Sequence, residues 1–321
     1  MAVRSFLRSQ LSERKKYNSM LAGNATSAFL GNGYAAGGND GSNVATVDKF
    51  AFLDDTRTTL ATGLSIARQA SAGFSNPSVA GYVAGGNDGS AVSTVDKFAF
   101  PDDTRTTLAS GLSNSRQFLA GFFDPSVAGY AAGGEESSTV DTVDKFAFPA
   151  DSRTTLGTGL SVARLYLAGF SNSAVAGYAA GGRSGSSSYG DTVDKFAFPA
   201  DSRTTLGTGL SSGNLGGVGF SDSGVAGYVA LGSTGSGRVT AVNKFAFPSD
   251  TRTTLGTGLS TARSFSAAFD SPAIAGYVAG GSSSGGNVDT VDKFAFPADT
   301  RTTLGTGISV ARYRLTGFQN A

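Results

Sequence analysis

Three of the side chains on which most enzyme chemistry depends are missing from this chain. Its 321 residues include no cysteine, no histidine and no tryptophan. Without thiols or imidazoles the chain has no disulfides, no cysteine nucleophile, no histidine base and none of the usual zinc or copper ligands. We therefore expect no metal and no cofactor, and we predict that the protein is not an enzyme.

Long apolar runs and a strong net charge are absent as well. No segment approaches the roughly 20 apolar residues of a membrane-spanning helix, so no membrane span is expected. The formal net charge is +1, which gives no reason to expect nucleic acid as a partner. Residues 1–22 hold five basic residues against Glu13, a net charge of +4, so the remainder carries −3.

The basic leader "MAVRSFLRSQLSERKKYNSML" lacks the uninterrupted apolar core of a secretory signal. Its arginines and near-helical apolar spacing superficially resemble an organelle transit peptide, but a docking arm is the simpler interpretation. We predict an arm over residues 1–22 that binds a neighbouring protein and a folded domain over residues 23–321. The contact candidates in the arm are Arg4, Phe6, Leu7, Arg8, Leu11, Arg14, Lys15 and Lys16.

What the chain has in abundance is repetition. The phrase "GY(A/V)AGG", with "GYVALG" in the fifth copy, recurs every 48 to 50 residues and begins at Gly33, Gly81, Gly129, Gly177, Gly227 and Gly276. Each unit holds four short β-like runs, which in the third unit are "RQFLAGFF", "GYAAGG", "TVDKFAF" and "SRTTL". Four strands joined by tight turns make one antiparallel blade. The sequence therefore predicts an all-β, six-bladed β-propeller.

Residue alternation and the chain ends add detail to this prediction. In "VDKFAF" (143–148), Val143 and Lys145 share one face and Phe146 shares the other with Phe148, so the strand packs against a neighbour on each side. The glycines of the "LAG" and "AAGG" runs are expected near the axis, where strands converge. The last run, "ARYRLTGF" (311–318), has no unit after it. We predict that it completes the first blade and closes the ring.

These runs resemble the kelch repeat over residues 33–321. The double glycine ends the second run in five units, and an arginine opens the inner run at Arg68, Arg116, Arg164, Arg263 and Arg312. Where kelch repeats carry tryptophan in the outer strand, this chain has Arg57, Arg105, Arg153, Arg203, Arg252 and Arg301. We expect each of these arginines to cover the phenylalanine pair and to direct its guanidinium to a turn aspartate such as Asp55, Asp151 or Asp299.

The units differ most in the loops between their second and third runs, which should all emerge on one rim beside the "GTGLS" links. Relaxed constraint on exposed loops explains this variation more simply than a selected binding rim does. "Asn-Asp-Gly" in two of the loops favours a hairpin turn over a calcium site. The candidate binding residues on this rim are Asn39, Asp40, Asn87, Asp88, Glu135, Glu136, Arg183, Tyr189, Arg238 and Asn287.

Nearly identical units without tryptophan or cysteine resemble kelch-like arrays in tail and surface proteins of marine bacteriophages. The resemblance implies a non-catalytic virion component that acts in assembly or host attachment and binds other virion proteins through the arm. The alternative is an extracellular propeller that binds a glycan or a receptor. A hydrolase has less support, because the carboxylate pairs Asp54–Asp55 and Asp102–Asp103 lie in a turn that recurs with variation in every unit. An intracellular adaptor has less support, because the sequence shows no companion domain.

The leader and the repeats are separate in sequence, which gives a first prediction. Deleting residues 1–20 should leave the thermal unfolding transition nearly unchanged, because every repeat feature lies after residue 22. Assembly with the neighbouring protein should be lost instead. Calorimetry of the truncated chain checks this, and a truncation that unfolds the remainder would show that the leader belongs to the core.

Overall fold

The fold consists of β-strands joined by turns and short loops. The structure, a computed structural model, describes residues 31–185 and 188–321, and none of these residues is helical. Residues 31–321 form one compact unit. Among the described residues, no helix has the length and apolar character needed to cross a membrane. The predicted docking arm, with all eight of its contact candidates, lies outside the described residues.

Six four-stranded antiparallel sheets, here called blades 1 to 6, account for the long strands of the described residues. Blade 1 contains β1 (Asn32–Ala36), β2 (Val47–Ala51), β3 (Arg57–Thr59) and β31 (Thr316–Asn320). Blade 2 contains β4 (Ala72–Asn76), β5 (Ala80–Ala84), β6 (Val95–Ala99) and β7 (Thr104–Thr107). Blade 3 contains β8 (Ala120–Asp124), β9 (Ala128–Ala132), β10 (Val143–Ala147) and β11 (Ser152–Thr155).

The other three blades have the same order. Blade 4 contains β12 (Ala168–Asn172), β13 (Ala176–Ala180), β16 (Val193–Ala197) and β17 (Ser202–Thr205). Blade 5 contains β18 (Val218–Asp222), β19 (Ala226–Ala230), β22 (Val242–Ala246) and β23 (Thr251–Thr254). Blade 6 contains β25 (Ala267–Ser271), β26 (Ala275–Ala279), β29 (Val291–Ala295) and β30 (Thr300–Thr303).

Short strands of two residues build small hairpins in the loops between the second and third strands of blades 4 to 6. They are β14 (Arg183–Ser184), β15 (Ser188–Tyr189), β20 (Ser233–Thr234), β21 (Gly237–Arg238), β27 (Ser282–Ser283) and β28 (Gly286–Asn287). A further short strand, β24 (Arg263–Ser264), precedes β25 and pairs with β27. Hence the loops that vary in sequence are compact extensions of the blades.

The predicted closure of the propeller is confirmed. Strand β31 pairs antiparallel with β1, with Phe318 opposite Tyr34. A second contact between the chain ends lies beside this pair, since Arg312 and Asp48 form a buried ion pair at 3.0 Å. Strands from both ends of the described chain thus lie side by side in blade 1, and the ring closes within that blade.

Each blade presents apolar side chains to both of its neighbours, as the alternation in "VDKFAF" predicts. In blade 3, Phe146 stacks on Phe74 of blade 2 with ring centroids 5.6 Å apart. Val143, on the opposite face of the same strand, belongs to a buried cluster that includes Phe196 of blade 4. Aromatic contacts of this kind recur between neighbouring blades and supply much of the core.

The innermost strands approach each other so closely that five of the six blades have glycine at the contact, with Ala268 in blade 6. A Cβ placed on Gly121 would lie 2.0 Å from the carbonyl oxygen of Gly73 in the preceding blade, and one on Gly169 would lie 2.0 Å from that of Gly121. The expectation for the "LAG" glycines is confirmed. The double glycine has a different reason, because Gly37 and Gly38 have φ values of +61° and +109° and turn the chain out of β1.

A buried aspartate in the third strand ties each opening arginine into its blade. In blade 2, Asp96 accepts hydrogen bonds from Arg68 Nη1 at 2.9 Å, Ser65 N at 2.8 Å and Thr107 Oγ1 at 2.8 Å. Burial alone would raise the pKa of Asp96, but the Arg68 charge and these hydrogen bonds lower it below its ordinary value. Because the ion pair is fully hydrogen bonded, removal of either partner would leave an uncompensated buried charge.

The outer-strand arginines have different partners from those that the sequence suggested. The guanidinium of Arg57 lies 3.4 Å from Asp48, and those of Arg105, Arg153, Arg203 and Arg301 lie 3.7 to 3.8 Å from the equivalent aspartates. Arg252 faces Asn243 in this place and donates to Thr254 Oγ1. The predicted partners Asp55, Asp151 and Asp299 were therefore wrong.

Strand register explains this correction. Arg57 on β3 stands directly opposite Phe50 on β2, so these two side chains lie on the same face of the sheet. Asp48 is two residues from Phe50 on β2 and therefore lies on that face as well. The turn aspartates have positive φ and reach the neighbouring blade, where Asp103 accepts hydrogen bonds from Tyr34 Oη and Lys49 Nζ at 2.7 Å each. These aspartates connect blades to each other.

The contact between inner strands gives the second prediction. Gly121→Ala should destabilise the protein by about 1 to 3 kcal/mol, because the added methyl overlaps the Gly73 carbonyl. Gly157→Ala is the matched control, since a Cβ there meets nothing within 4 Å. Urea denaturation of both variants checks the difference, and equal stabilities would contradict the packing described for the axis.

Candidate binding site at one mouth of the central channel

Six residues, one from each blade, form a closed ring of backbone hydrogen bonds around the axis. The N–H of each residue donates to the carbonyl of its counterpart in the preceding blade, with N···O distances of 2.7 to 3.0 Å. We call these residues the axial ring; they are Ala70, Phe118, Tyr166, Gly216, Phe265 and Arg314. They lie just before the innermost strands and join all six blades at this end of the channel.

The backbone of the axial ring is held in an uncommon conformation. All six residues have φ between 56° and 65°, and the left-handed region costs a non-glycine residue roughly 1 to 2 kcal/mol. Five of the six are not glycine. Strained backbone of this kind clusters at functional sites, where the surrounding structure maintains it.

The side chains of the axial ring differ although the units around them repeat. The rings of Phe118 and Tyr166 have centroids 4.2 Å apart, and Tyr166 meets Phe265 edge-on at 5.2 Å. The guanidinium carbon of Arg314 lies 5.0 Å from the Phe118 ring and 5.6 Å from the Phe265 ring. Tyr313 adds a third ring at 5.1 Å. An aromatic cluster around one cation therefore occupies this end of the channel.

The axial ring lines a cavity of about 120 Å³ that continues between the innermost strands. Phe118 is 9% exposed, whereas Tyr166, Phe265 and Arg314 are partly exposed. We call this end of the cavity the mouth. It combines a concave shape, aromatic surface and a few convergent polar groups, which are the general features of a ligand site.

The loops predicted to form one rim surround the mouth, and they do lie beside the "GTGLS" links. Leu64 N, for example, donates to the Ala45 carbonyl at 2.8 Å. All six loops pair directly with the residue that precedes an axial residue. Four of the pairs involve predicted rim residues, namely Gln69 to Asn87, Gln117 to Glu135, Leu165 to Arg183 and Tyr313 to Asn39, and the other two are Leu215 to Ser233 and Ser264 to Ser282. These four predicted rim residues therefore belong to a second ring around the axial ring.

Two of these four also reach the mouth with their side chains. The guanidinium carbon of Arg183 lies 5.6 Å from the Tyr166 ring. Glu135 accepts a hydrogen bond from Gln117 Nε2 at 3.3 Å. Burial raises the pKa of Tyr166, the charges of Arg314 and Arg183 lower it, and that of Glu135 raises it. The charges of Arg314, Arg183 and Glu135 thus all influence the pKa of the Tyr166 hydroxyl.

The remaining predicted rim residues lie farther out or support the loops. Asp40 and Asp88 are exposed, and each accepts a hydrogen bond from a backbone N–H of its own loop at 3.3 Å. Glu136 accepts one from Asn114 at 3.1 Å, and Asn287 donates to the Asn39 carbonyl at 3.3 Å. Tyr189 is 39% exposed. Arg238 donates to Ser264 and Ser282 of blade 6 at 3.3 and 3.2 Å.

The axial ring itself was missed by the sequence analysis. A weak signal was present, since the second residue after the opening arginine, or after Asn214 in the fifth unit, reads Ala, Phe, Tyr, Gly, Phe and Arg. The residues on either side of this position vary as well, so it does not stand out in the run. The pattern of that run is typical of a regular strand, and in a regular strand a variable position has no backbone conformation that distinguishes it from its neighbours. The left-handed backbone that marks this position is not visible in the sequence.

At the far end of the channel, side-chain hydrogen bonds link neighbouring innermost strands. Ser221 Oγ accepts from Ser171 N at 3.1 Å, and Asp270 Oδ2 accepts from Ser221 N at 2.9 Å. Asp270 Oδ1 also accepts from Gln319 Nε2 at 3.1 Å. Burial raises the pKa of Asp270 to about 7, although the Ser221 hydrogen bond opposes this shift. The side chains here satisfy backbone groups at the open edges of the inner strands.

Asp270 gives the third prediction. As the pH rises above about 4 the unfolded chain ionises at this position first, so folding stability falls until the folded carboxyl ionises near pH 7. Asp270→Asn removes this dependence, and its melting temperature relative to the parent protein should rise between pH 4 and 7 and stay level above. The change corresponds to a free energy on the order of 4 kcal/mol. A difference independent of pH would contradict the assignment.

Comparisons with known proteins bear on the fold alone. No protein-family model matches the chain, and no curated protein matches it. Among solved structures it is similar to one titled "Structure of YjhT", with a TM-score of 0.65 and 14% sequence identity over 84% of this chain and 97% of that one. That structure has a β-propeller-like fold. The chain is thus a multi-bladed β-propeller.

Proposed function

We propose that this protein is a non-catalytic propeller of the kelch-like type that attaches to a ligand through the mouth. The observation that carries the proposal is the difference among the six axial side chains at positions of equivalent backbone geometry. The hydrogen-bonded ring requires only a backbone N–H, a backbone carbonyl and a positive φ, and glycine meets these requirements at no steric cost. Phe118, Tyr166, Phe265 and Arg314 therefore exceed what the fold needs.

The composition of the mouth supports recognition. Tyrosine and arginine are enriched among the residues that contribute most to binding, and such residues cluster at the centre of an interface inside a less important rim. Tyr166 and Arg314 have this central position, and the loop residues Asn39, Asn87, Glu135 and Arg183 form the rim around them. The arrangement suits a small ligand or one residue of a longer polymer.

Recognition without catalysis fits the chemistry of the cavity. Among the residues that line it, Asp270 is the one carboxylate, and it lies at the far end with both oxygens hydrogen bonded. Acid and base catalysis requires a positioned group within hydrogen-bond reach of the reacting atoms. The described residues at the mouth offer guanidinium, amide and aromatic groups, together with a Glu135 that is engaged by Gln117.

We place this activity on a virion, in a phage tail or surface protein that serves assembly or host attachment. The support is the resemblance of the nearly identical units to those of marine bacteriophage proteins, together with the basic leader as an arm for other virion proteins. The alternative is an extracellular propeller that binds a glycan or a receptor outside a virion. The size of the mouth favours a glycan for either location.

The fourth prediction tests recognition at the mouth with a matched pair of variants. Tyr166→Ala should weaken binding to immobilised glycans or to host cells at least tenfold, as expected when a central aromatic residue is truncated. Tyr189→Ala removes an exposed tyrosine from an outer loop and should leave binding unchanged. The opposite pattern would assign recognition to the outer loops. Failure of the full-length protein to bind any glycan or cell surface would refute the proposed function.

A further inference from the structure

We propose that the ligand of the mouth is an acidic saccharide, bound by its carboxylate or sulfate group between Arg314 and Arg183 with a sugar ring against Tyr166. This inference rests on the proposed function and adds the chemical class of the ligand. It depends on the distribution of charge in the described residues, on the geometry of the guanidinium groups and on the asymmetry of the rim.

The basic residues of the propeller are almost completely paired with acids. Twenty lysines and arginines lie in the described part of the chain, and sixteen of them have a carboxylate oxygen within 4.0 Å. The exceptions are Arg183, Arg238, Arg252 and Arg314. Three of these four lie at the mouth or on its rim, although they are distant from each other in sequence. Positive charge without a protein counter-ion is thus concentrated at the mouth.

The two central arginines contact the same aromatic cluster. Arg183 lies over the Tyr166 ring, and Tyr166 contacts Phe265, over which Arg314 lies. Stacking on aromatic rings holds a guanidinium by its face and leaves its N–H edge available, and that planar edge matches a carboxylate or sulfate. The Arg314 side chain makes one hydrogen bond among the described residues, to Gln69 Oε1 at 3.3 Å.

The rim is charged unequally around the mouth. The loops of blades 1 to 3 carry only acidic charges, at Asp40, Asp88, Glu135, Glu136 and Asp141. The loop of blade 4 carries Arg183 with Asp191, that of blade 5 carries Arg238 alone, and that of blade 6 carries Asp289. Arg238 extends toward the axis, because it donates to Ser264, the neighbour of Phe265. An anionic chain that leaves the mouth would be attracted along blades 4 and 5 and repelled by blades 1 to 3.

The aromatic cluster accounts for the saccharide part. Tyr166 and Phe265 are partly exposed beside the two guanidiniums, so a bound acid brings its neighbouring ring against apolar surface. The cavity of about 120 Å³ is small compared with the roughly 300 to 1,000 Å³ of pockets that enclose a whole small molecule. One acidic group and part of one ring fit the mouth, and the rest of the polymer stays on the rim.

The test compares polymers that differ only in charge, with the full-length protein immobilised. Polygalacturonate is paired with its fully methyl-esterified form, and dextran sulfate is paired with dextran. We expect at least tenfold tighter binding to a charged polymer than to its neutral counterpart, with affinity that falls as salt is raised. The two pairs separate a carboxylate ligand from a sulfate ligand. Equal binding within both pairs would overturn the proposal.

Variants assign the effect to the mouth. Arg314→Gln and Arg183→Gln should each lower affinity for the charged polymer at least tenfold. Arg252→Gln is the matched control, because Arg252 also lacks an acidic partner but lies on the outer strand of blade 5. Arg314→Lys keeps the charge without the planar edge and should bind with intermediate affinity.

Circular dichroism checks that each variant is folded. Charge-selective binding that persists in the Arg183→Gln, Arg314→Gln double variant would contradict the proposal.

The outcomes separate this inference from the proposed function. Binding of neutral glycans that depends on Tyr166 but not on either arginine would uphold recognition at the mouth and refute the acidic ligand. Absence of binding to both polymer pairs and to a glycan library would refute recognition itself.

Discussion

The six N–H···O=C bonds of the axial ring are the constraint on which the mouth depends. They join each blade to the preceding one at the axis and hold every ring residue at positive φ. Because all their donors and acceptors are backbone groups, the bonds form with any side chain in place. The fold therefore presents six positions of equivalent geometry at one point and leaves their chemistry open. Arginine and three aromatic residues occupy four of them.

The stability of the propeller comes from other contacts. Aromatic rings stack between neighbouring blades, and turn aspartates bind a lysine and a tyrosine of the adjacent blade. Buried aspartate–arginine pairs fasten every blade except blade 5 to its link. In blade 1 these contacts are made by the two ends of the described chain, through Asp48 and Arg312. Since the core is built away from the axis, the mouth can vary with little effect on folding.

Much of this architecture could be predicted from the sequence, because repetition exposes the contacts that every blade must make. The blade strands, the closure by the last strand and the need for glycine at Gly121 follow from spacing and residue size.

The partner of Arg57 could not be predicted, since it depends on which residue stands opposite in the neighbouring strand. The axial ring was missed because its left-handed backbone leaves no sign in an alternating pattern. The rim loops were placed correctly, but distance from the axis decides which of their residues reach the mouth. The docking arm stays a prediction.

A crystal structure of the propeller with a bound acidic oligosaccharide would test the central claim most directly, because it locates the ligand without reference to any variant. The account predicts electron density for a sugar ring against Tyr166, with its acidic group between Arg183 and Arg314. Density on the exposed outer loops, or at the far end of the channel beside Asp270, would contradict it.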